Sequence, residues 1–243
     1  MQIVGLILLT VVIAFGFTER QMTKVSAFDL HALVIVSGGS FAAIMVSSSV
    51  RTVWHTLLCL RELLPIPGPL EAGTARLEDA RRRFVVLWRE GKRAQAVEVA
   101  ERSGLPAIER MLELVLGRAG KETVDAAYLE LRHAELGRWQ PPTTNWELLA
   151  RLGPSFGLVG TVTGIVVLFR NMGNDNLNIG AAMSLALVST LYGIAFGAGI
   201  AGPMGHYLRG LVDERLGALA RCQQSTVELI ERGVGEPGVG RGA

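Results

Sequence analysis

Two apolar stretches constrain this chain more than any other feature: LGPSFGLVGTVTGIVVLF (residues 152–169) and IGAAMSLALVSTLYGIAFGAGIAGPM (residues 179–204). Neither contains Asp, Glu, Lys, Arg or His. A bilayer's apolar core of ~30 Å takes about 20 helical residues, so each stretch can span it. A plain anchor needs only Leu, Ile, Val and Phe, yet both stretches are rich in Gly, Ala, Ser and Thr. Small residues let helix backbones approach closely in lipid. Gly153 and Gly157, Gly160 and Gly164, and Gly193 and Gly197 are each four apart, so each pair shares a helix face. The spacing predicts two helices built to pack against each other and against further helices.

Polar and irregular features sit within that region. Pro154 lacks an amide hydrogen and is expected to kink or open its helix. Thr161 lies two turns further on, on the same face. Ser189 and Thr190 fall near the middle of the second stretch. A hydroxyl in lipid can bond back to its own helix, which gives these residues a purely structural reading. The other reading is a polar lining for an ion or water path, favoured by hydroxyls on two adjacent helices beside a proline.

GPSFGLVGTVTG followed by AAMSLALVSTLYG, with Pro203 closing the second helix, resembles the MotA/TolQ/ExbB family of ion-driven motor subunits. The resemblance implies that the two helices line an ion path, with Pro154, Thr161, Thr190 and Pro203 on the family's positions. The TolQ/ExbB branch carries a Glu five residues before the Thr of the last helix; here that position is Leu185. The MotA branch lacks the Glu, so the departure points to that branch. FDLHALVIVSGGSFAAIMVSSSVRTVWHTL (residues 28–57) also resembles the second span of MotA, whereas TolQ and ExbB have one span before their cytoplasmic segment.

Composition agrees with a membrane protein: 49% of the 243 residues are hydrophobic and the mean hydropathy is +0.35. Two further apolar runs, 3–18 and 30–50, complete four expected spans. The first is short and reads as an uncleaved span, since no basic flank beyond the terminal amine and no small-x-small site mark it as a signal peptide. His31, at the start of the second, reads as an interface residue. Sixteen of the 24 Lys and Arg lie in 51–151 and five follow Met204, while the loops after the first and third spans hold only Arg20, Lys24 and Arg170. An excess of basic residues marks the cytoplasmic side. The expected fold is therefore an all-α integral membrane protein of the bacterial inner membrane. It has four transmembrane helices, both termini cytoplasmic, and a helical cytoplasmic segment between the second and third spans. The expected divisions are 1–50, 51–147, 148–206 as the ion-path core, and 207–243.

The cytoplasmic segment has helical periodicity and no strand pattern. Pro65, Pro67, Gly68 and Pro69 mark a break. Leu77, Phe84, Leu87 and Trp88 share one face; Ala96, Val97 and Ala100 continue to Gly104, which ends that helix. Pro106 suits a first turn, and Ile108, Met111, Leu112 and Val115 form the next face. Val124, Tyr128, Leu131 and Ala134 follow. Pro141-Pro142 predict another break, with a new helix from about Trp146 capped by Thr144 or Asn145. Beyond Met204, the spacing of Leu208, Leu211, Val212, Leu216 and Leu219 predicts a helix emerging far from the membrane, and GVGEPGVGRGA a disordered tail.

The charged run from Arg81 to Arg102 reads most simply as a solvated helix surface. The family resemblance implies that charges hereabouts meet the flagellar rotor, which makes Arg89, Lys92, Arg93 and Glu98 candidates. Trp88 and Ala96 stand where charges are expected, and EGKRAQAVEVAERSGLPAIERML is closer to ExbB-type text. Interleaved acids argue against nucleic acid as a partner.

No phosphate-binding, zinc-protease or nucleophile-elbow motif occurs, so neither an enzyme nor a cofactor is indicated. His55, His133 and His206 are scattered, and Cys59 and Cys222 lack metal-ligand spacing. An ion path through lipid needs an ionisable or strongly coordinating group near its centre, and no mid-span carboxylate exists here. If protons cross, another chain must bring the carboxylate. The resemblance implies the same: a ring of MotA-type subunits around single-span MotB-type helices, each with a membrane Asp. The hydroxyls of Thr161, Ser189 and Thr190 suit H⁺ or Na⁺. Alternatives are an envelope energiser of the TolQ/ExbB kind and a non-conducting membrane scaffold.

Overall fold

The computed structural model describes residues 30–63, 68–170 and 179–235, and every regular element among them is helical. The expected first span, the loop after Arg170, Pro65, Pro67 and residues 236–243 of the tail lie outside the described residues. The chain forms two units: Met1–Ile66 with Gln140–Arg209, and Pro67–Trp139 with Gly210–Ala243.

In the first unit, α1 (Leu30–Leu33), a π-helical turn (Val34–Gly38) and α2 (Gly39–Ser47) make one apolar run. It ends earlier than the expected Val50, because Ser48 is extended and Ser49 turns the chain into α3 (Val50–Leu58) by accepting the Thr52 amide on its hydroxyl at 3.3 Å. A 3₁₀ turn, Cys59–Leu63, follows. The rest of the unit comes from α7 (Lys121–Arg170), α8 (Ile179–Ile194), a π-helical turn (Ala195–Ala201) and the start of α9 (Gly202–Gly235). In the π turn the Gly202 amide donates to the Gly197 carbonyl, five residues back. The wider turn lies directly before Pro203, which has no amide to continue the ordinary ladder.

α7 contradicts the expected break at Pro141-Pro142, for it runs through both prolines and through Pro154. Trp146 and Asn145 do not start a helix; they fasten an existing one. Asn145 donates to the Thr56 hydroxyl at 2.9 Å and accepts from the Ser48 hydroxyl at 2.9 Å, while the Trp146 indole donates to the Thr56 carbonyl at 3.0 Å. Thr56, Asn145 and Trp146 are all buried. Buried hydrogen bonds are worth about 1 kcal/mol each and cost more when left unmade. This set offsets part of the proline penalty, which is ~3 kcal/mol in a helix interior.

The helical runs Lys121–Arg170 and Met183–Arg232 are long and apolar enough to cross a membrane, and Val34–Ser47 is a shorter apolar helix. The apolar windows of the two long runs are only 22% and 33% buried, unlike the core helix of a soluble protein. Leu158, Val162, Val166, Phe169, Leu187 and Ile194 stand outward. Apolar surface this open requires lipid or further chains to cover it.

The second unit follows the sequence periodicity closely. α4 (Pro69–Arg89) buries Leu70, Leu77, Ala80, Phe84 and Val85, with Phe84 stacked on Trp88 at 5.5 Å between ring centres. Gly91, at φ +75°, turns the chain into α5 (Arg93–Ser103). Gly104, at φ +59°, ends α5 in the left-handed region that only glycine adopts freely. Pro106 then opens α6 (Pro106–Leu116), which buries Ile108, Met111, Leu114 and Val115. Val124 and Tyr128 from α7 and Ala218, Leu219, Cys222 and Leu229 from α9 close the core; Ala134 is exposed. α9 continues to Gly235, so the first residues of the expected disordered tail are helical.

Half-buried ions tie this unit together. Glu78 accepts from Arg81 at 3.0 Å and from Arg221, and Arg81 also donates to the Ser225 hydroxyl at 3.0 Å. Arg215 donates to Glu135 at 2.8 Å and to the Gly73 carbonyl at 2.9 Å. Burial works against the Glu78 charge, but the hydrogen bonds and charges of Arg221 and Arg81 outweigh it and hold the carboxyl below its ordinary range. Tyr128 donates or accepts across 3.0 Å with Thr226, and burial pushes its phenol well above the usual value.

Candidate functional site

Glycines bring α7 against α8 and the π turn. A Cβ built on Gly153 would stand 2.7 Å from the Gly193 carbonyl oxygen and 2.8 Å from the Gly197 Cα. One on Gly157 would meet the Ser189 carbonyl oxygen at 2.9 Å, and one on Gly160 the Ser189 side chain at 2.4 Å. Gly193 faces Gly153 and Gly157, and Gly197 faces Pro154 and the Ala150 carbonyl. Side chains at these positions would force the backbones apart, so close approach requires glycine here. Gly164 is buried.

That approach brings the hydroxyls together. Thr161 and Thr190 hydrogen-bond to each other across the two helices. The Ala186 carbonyl lies 3.0 Å from the Thr161 hydroxyl, 3.3 Å from that of Thr190 and 3.1 Å from that of Ser189. Thr161 also reaches the Gly157 carbonyl at 3.2 Å. Each hydroxyl has one proton, and around the threonine pair each proton has an acceptor, either the other hydroxyl or a carbonyl. What the pair offers outward is therefore lone pairs, which suit a cation or a proton donor and repel an anion. Thr161 and Thr190 remain partly exposed, whereas Ser189 is fully buried beside Gly160 and bonds back to its own helix.

Pro154 stands one turn before the Gly157 contact, with its ring against Gly197. Having no amide, it leaves the Ala150 carbonyl without its ordinary helical donor, at the point where Gly197 comes closest. Pro203 is exposed and lies past the π turn. The site thus consists of Thr161, Thr190 and the Ala186 carbonyl on a floor of glycines. The Ala186 carbonyl is the component that no side-chain pattern could have indicated.

The profile of the MotA/TolQ/ExbB proton channel family matches residues 103–220, a range that contains this helix pair entirely. Over that range, just under half of its length, the chain is similar to the MotA/TolQ/ExbB family. Motility protein A of Aquifex aeolicus is 34% identical over 88 residues, 36% of this chain and 34% of that protein. The chain thus spans about a third of that relative. Motility protein A of Borreliella burgdorferi is 29% identical over 197 residues, covering 75% of this chain and 68% of its own length. Among solved structures, the MotAB of C. jejuni superposes with a TM-score of 0.75 at 16% identity, covering 95% of this chain and 89% of that one. The flagellar MotAB stator complex of Bacillus subtilis gives 0.72 at 19% identity, with coverages of 94% and 89%. At these identities the likeness is one of fold.

The four charged candidates of the second unit are engaged locally. Arg89 pairs with Glu228 at 2.9 Å, Lys92 with Glu90 at 2.7 Å and Glu98 with Arg102 at 2.9 Å, while the Arg93 guanidinium sits 5.5 Å from the Trp88 ring centre. All four residues are exposed or half-exposed, as a solvated helix surface would have them. No group of three or more His, Cys, Asp or Glu that could hold a metal occurs among the described residues.

Proposed function

We propose that this chain is a MotA-type stator subunit that conducts protons, or Na⁺, together with a single-span MotB-type partner and turns the flux into torque on the flagellar rotor. The observation that carries this reading is the Thr161–Thr190 pair, which presents only lone pairs on a glycine-packed seam that holds no carboxylate of its own. A hydroxyl pair is a poor proton acceptor but a good partner for a neutral carboxylic acid or a coordinated cation. An Asp on the partner would supply the acid. Protonated, it would dock on the hydroxyls; ionised, it would be repelled, and the change of preferred contact would step a ring of these subunits around the partner. The relatives named motility protein A and the MotAB folds support this reading.

The protein would sit in the bacterial inner membrane with four spans, both termini in the cytoplasm, and divisions at 1–50, 51–147, 148–206 and 207–243. Its outward apolar residues would face lipid and neighbouring subunits. Pro154 and Pro203 would shape the path, and Arg89, Lys92, Arg93 and Glu98 are the charges offered to the rotor. Deleting the gene in its host and scoring swimming, with flagella counted in the same cells, tests the reading. Flagellated but motionless cells are the expected outcome. Normal swimming combined with outer-membrane leakage would replace it with an envelope energiser of the TolQ/ExbB kind, which the ExbB-like text around residues 90–112 favours.

A further inference from the structure

The α7 seam does not end at Pro154. Glu147 lies seven residues before Pro154 and fourteen before Thr161, so the three share one helix face, with Glu147 about 21 Å along the axis from the hydroxyl pair at 1.5 Å per residue. The contacts agree with the spacing. Thr161 meets Thr190 and Ala186, Pro154 meets Gly197, and a Cβ built on Gly205 would stand 3.1 Å from the Glu147 Cγ. Arg209 of α9, one turn beyond Gly205, pairs with the Glu147 carboxylate. Walking the seam from Thr161, Glu147 is the first carboxylate met. Its side chain is about one-third exposed, at 32%, so it touches both the seam and water. Nearby along the same two helices stand Arg151, one turn along α7, and His206 and Tyr207, three and two residues before Arg209; Arg151 and His206 are exposed and Tyr207 is half-buried.

We infer that Glu147 is the proton acceptor at the mouth of the path, with Arg209 holding its carboxylate at the end of the seam. A proton arriving as hydronium at the exposed side of Glu147 forms an O–H bond to its carboxylate, leaving a neutral acid and a water molecule. That bond then breaks to bulk water, and the carboxylate returns to Arg209. No other reactant is required. The pair explains why a charge-free seam terminates in one acid and one base instead of in solvent. Arg209 acts as a positioning residue: its ion pair aims the carboxylate until a proton arrives.

This inference rests on the conducting reading above, and the experiment separates the two. The full chain with its single-span partner is reconstituted in vesicles, and proton flux is followed with an internal pH dye for wild type, Thr190→Val, Glu147→Gln and Glu147→Asp. Assembly is checked by melting. Glu147→Gln is expected to lower flux at least tenfold without shifting the melt, in line with the ~10²–10⁴ that a positioned acid–base group contributes. Glu147→Asp is expected to restore most of the flux and to move its pH profile. Undiminished flux in Glu147→Gln overturns the assignment while leaving the conducting reading intact, provided Thr190→Val is silent. Equal losses in Glu147→Gln and Glu147→Asp also overturn it, since pairing and shape would then suffice. A silent wild type overturns both.

Discussion

Gly193 sits so close to Gly153 that a Cβ built on it would stand 2.5 Å from the Gly153 carbonyl oxygen. Backbone cannot retreat as a flexible side chain can, so Gly193→Ala must part the two helices. Overpacking of this kind costs about 1–3 kcal/mol. The detergent-solubilised protein should melt several degrees lower and assemble poorly. Gly210→Ala provides the contrast. A Cβ there meets nothing within 4 Å, and the residue lies inside α9. That change should stabilise by about 0.5–1 kcal/mol through helix propensity. Equal melts for the two variants would remove the close-packed seam from the account.

Thr190→Val keeps the shape of residue 190 and deletes its hydroxyl. Thr161 would then have the Ala186 and Gly157 carbonyls as partners, so packing should survive. The outward lone pairs on residue 190 would be gone. The expected result is a membrane-inserted, partner-binding subunit whose torque falls at least tenfold, measured as the rotation of tethered cells. Full rotation would return Thr190 to the structural reading, in which its hydroxyl merely satisfies its own helix.

What the sequence made legible follows the range of the interactions. Helix faces such as Leu77–Phe84 and Ile108–Met111–Val115 rest on local periodicity, and they are buried as that periodicity predicts. Gly104 and Pro106 punctuate the chain by local backbone rules, and they do so in the structure. Pro141-Pro142 gave the opposite local signal. There the outcome is set by Asn145 and Trp146 bonding to Thr56, some ninety residues earlier, which no window along the chain contains. The ion pairs of Arg215 with Glu135 and of Arg221 with Glu78 join partners 80 and 143 residues apart, and many alternative pairings fit the same charges. At the candidate site, the meeting of Thr161 with Thr190 follows from glycine spacing on both helices. Their shared acceptor is a backbone carbonyl, which every residue possesses and no sequence singles out.

Glu78 gives the cytoplasmic unit a pH dependence of known sign. Its folded carboxyl titrates below the ordinary value, so the unfolded chain takes up the proton first as pH falls. The stabilisation it provides is complete above the unfolded pKa of about 4.3 and disappears as pH drops through the folded value. Glu78→Gln should therefore lower the melting temperature at pH 7, where Arg81 and Arg221 lose their charged partner. The gap to wild type should close progressively below about pH 4.5, as the unfolded wild-type carboxyl takes up its proton, and vanish once pH falls through the lower folded value. A gap independent of pH would mean that Glu78 acts through shape and not through charge.

The two thiols make a final prediction. Cys59 and Cys222 are both buried, and burial pushes their pKa values up to about 11 and about 12. The reactive form is the thiolate, so both should be nearly silent to iodoacetamide in the folded protein at pH 8, where an ordinary thiol is about a quarter ionised. Against a free-thiol standard, alkylation of either residue should be slower by at least 100-fold, since low thiolate content and lack of access multiply. Adding denaturant should restore the ordinary rate at both. Peptide mapping reads the two sites separately: Cys59 reports on the membrane unit and Cys222 on the α9 core beside Thr226. A thiol that labels quickly while the helical signal is intact would show that its unit opens without unfolding, which the packing around Cys222 in particular does not allow.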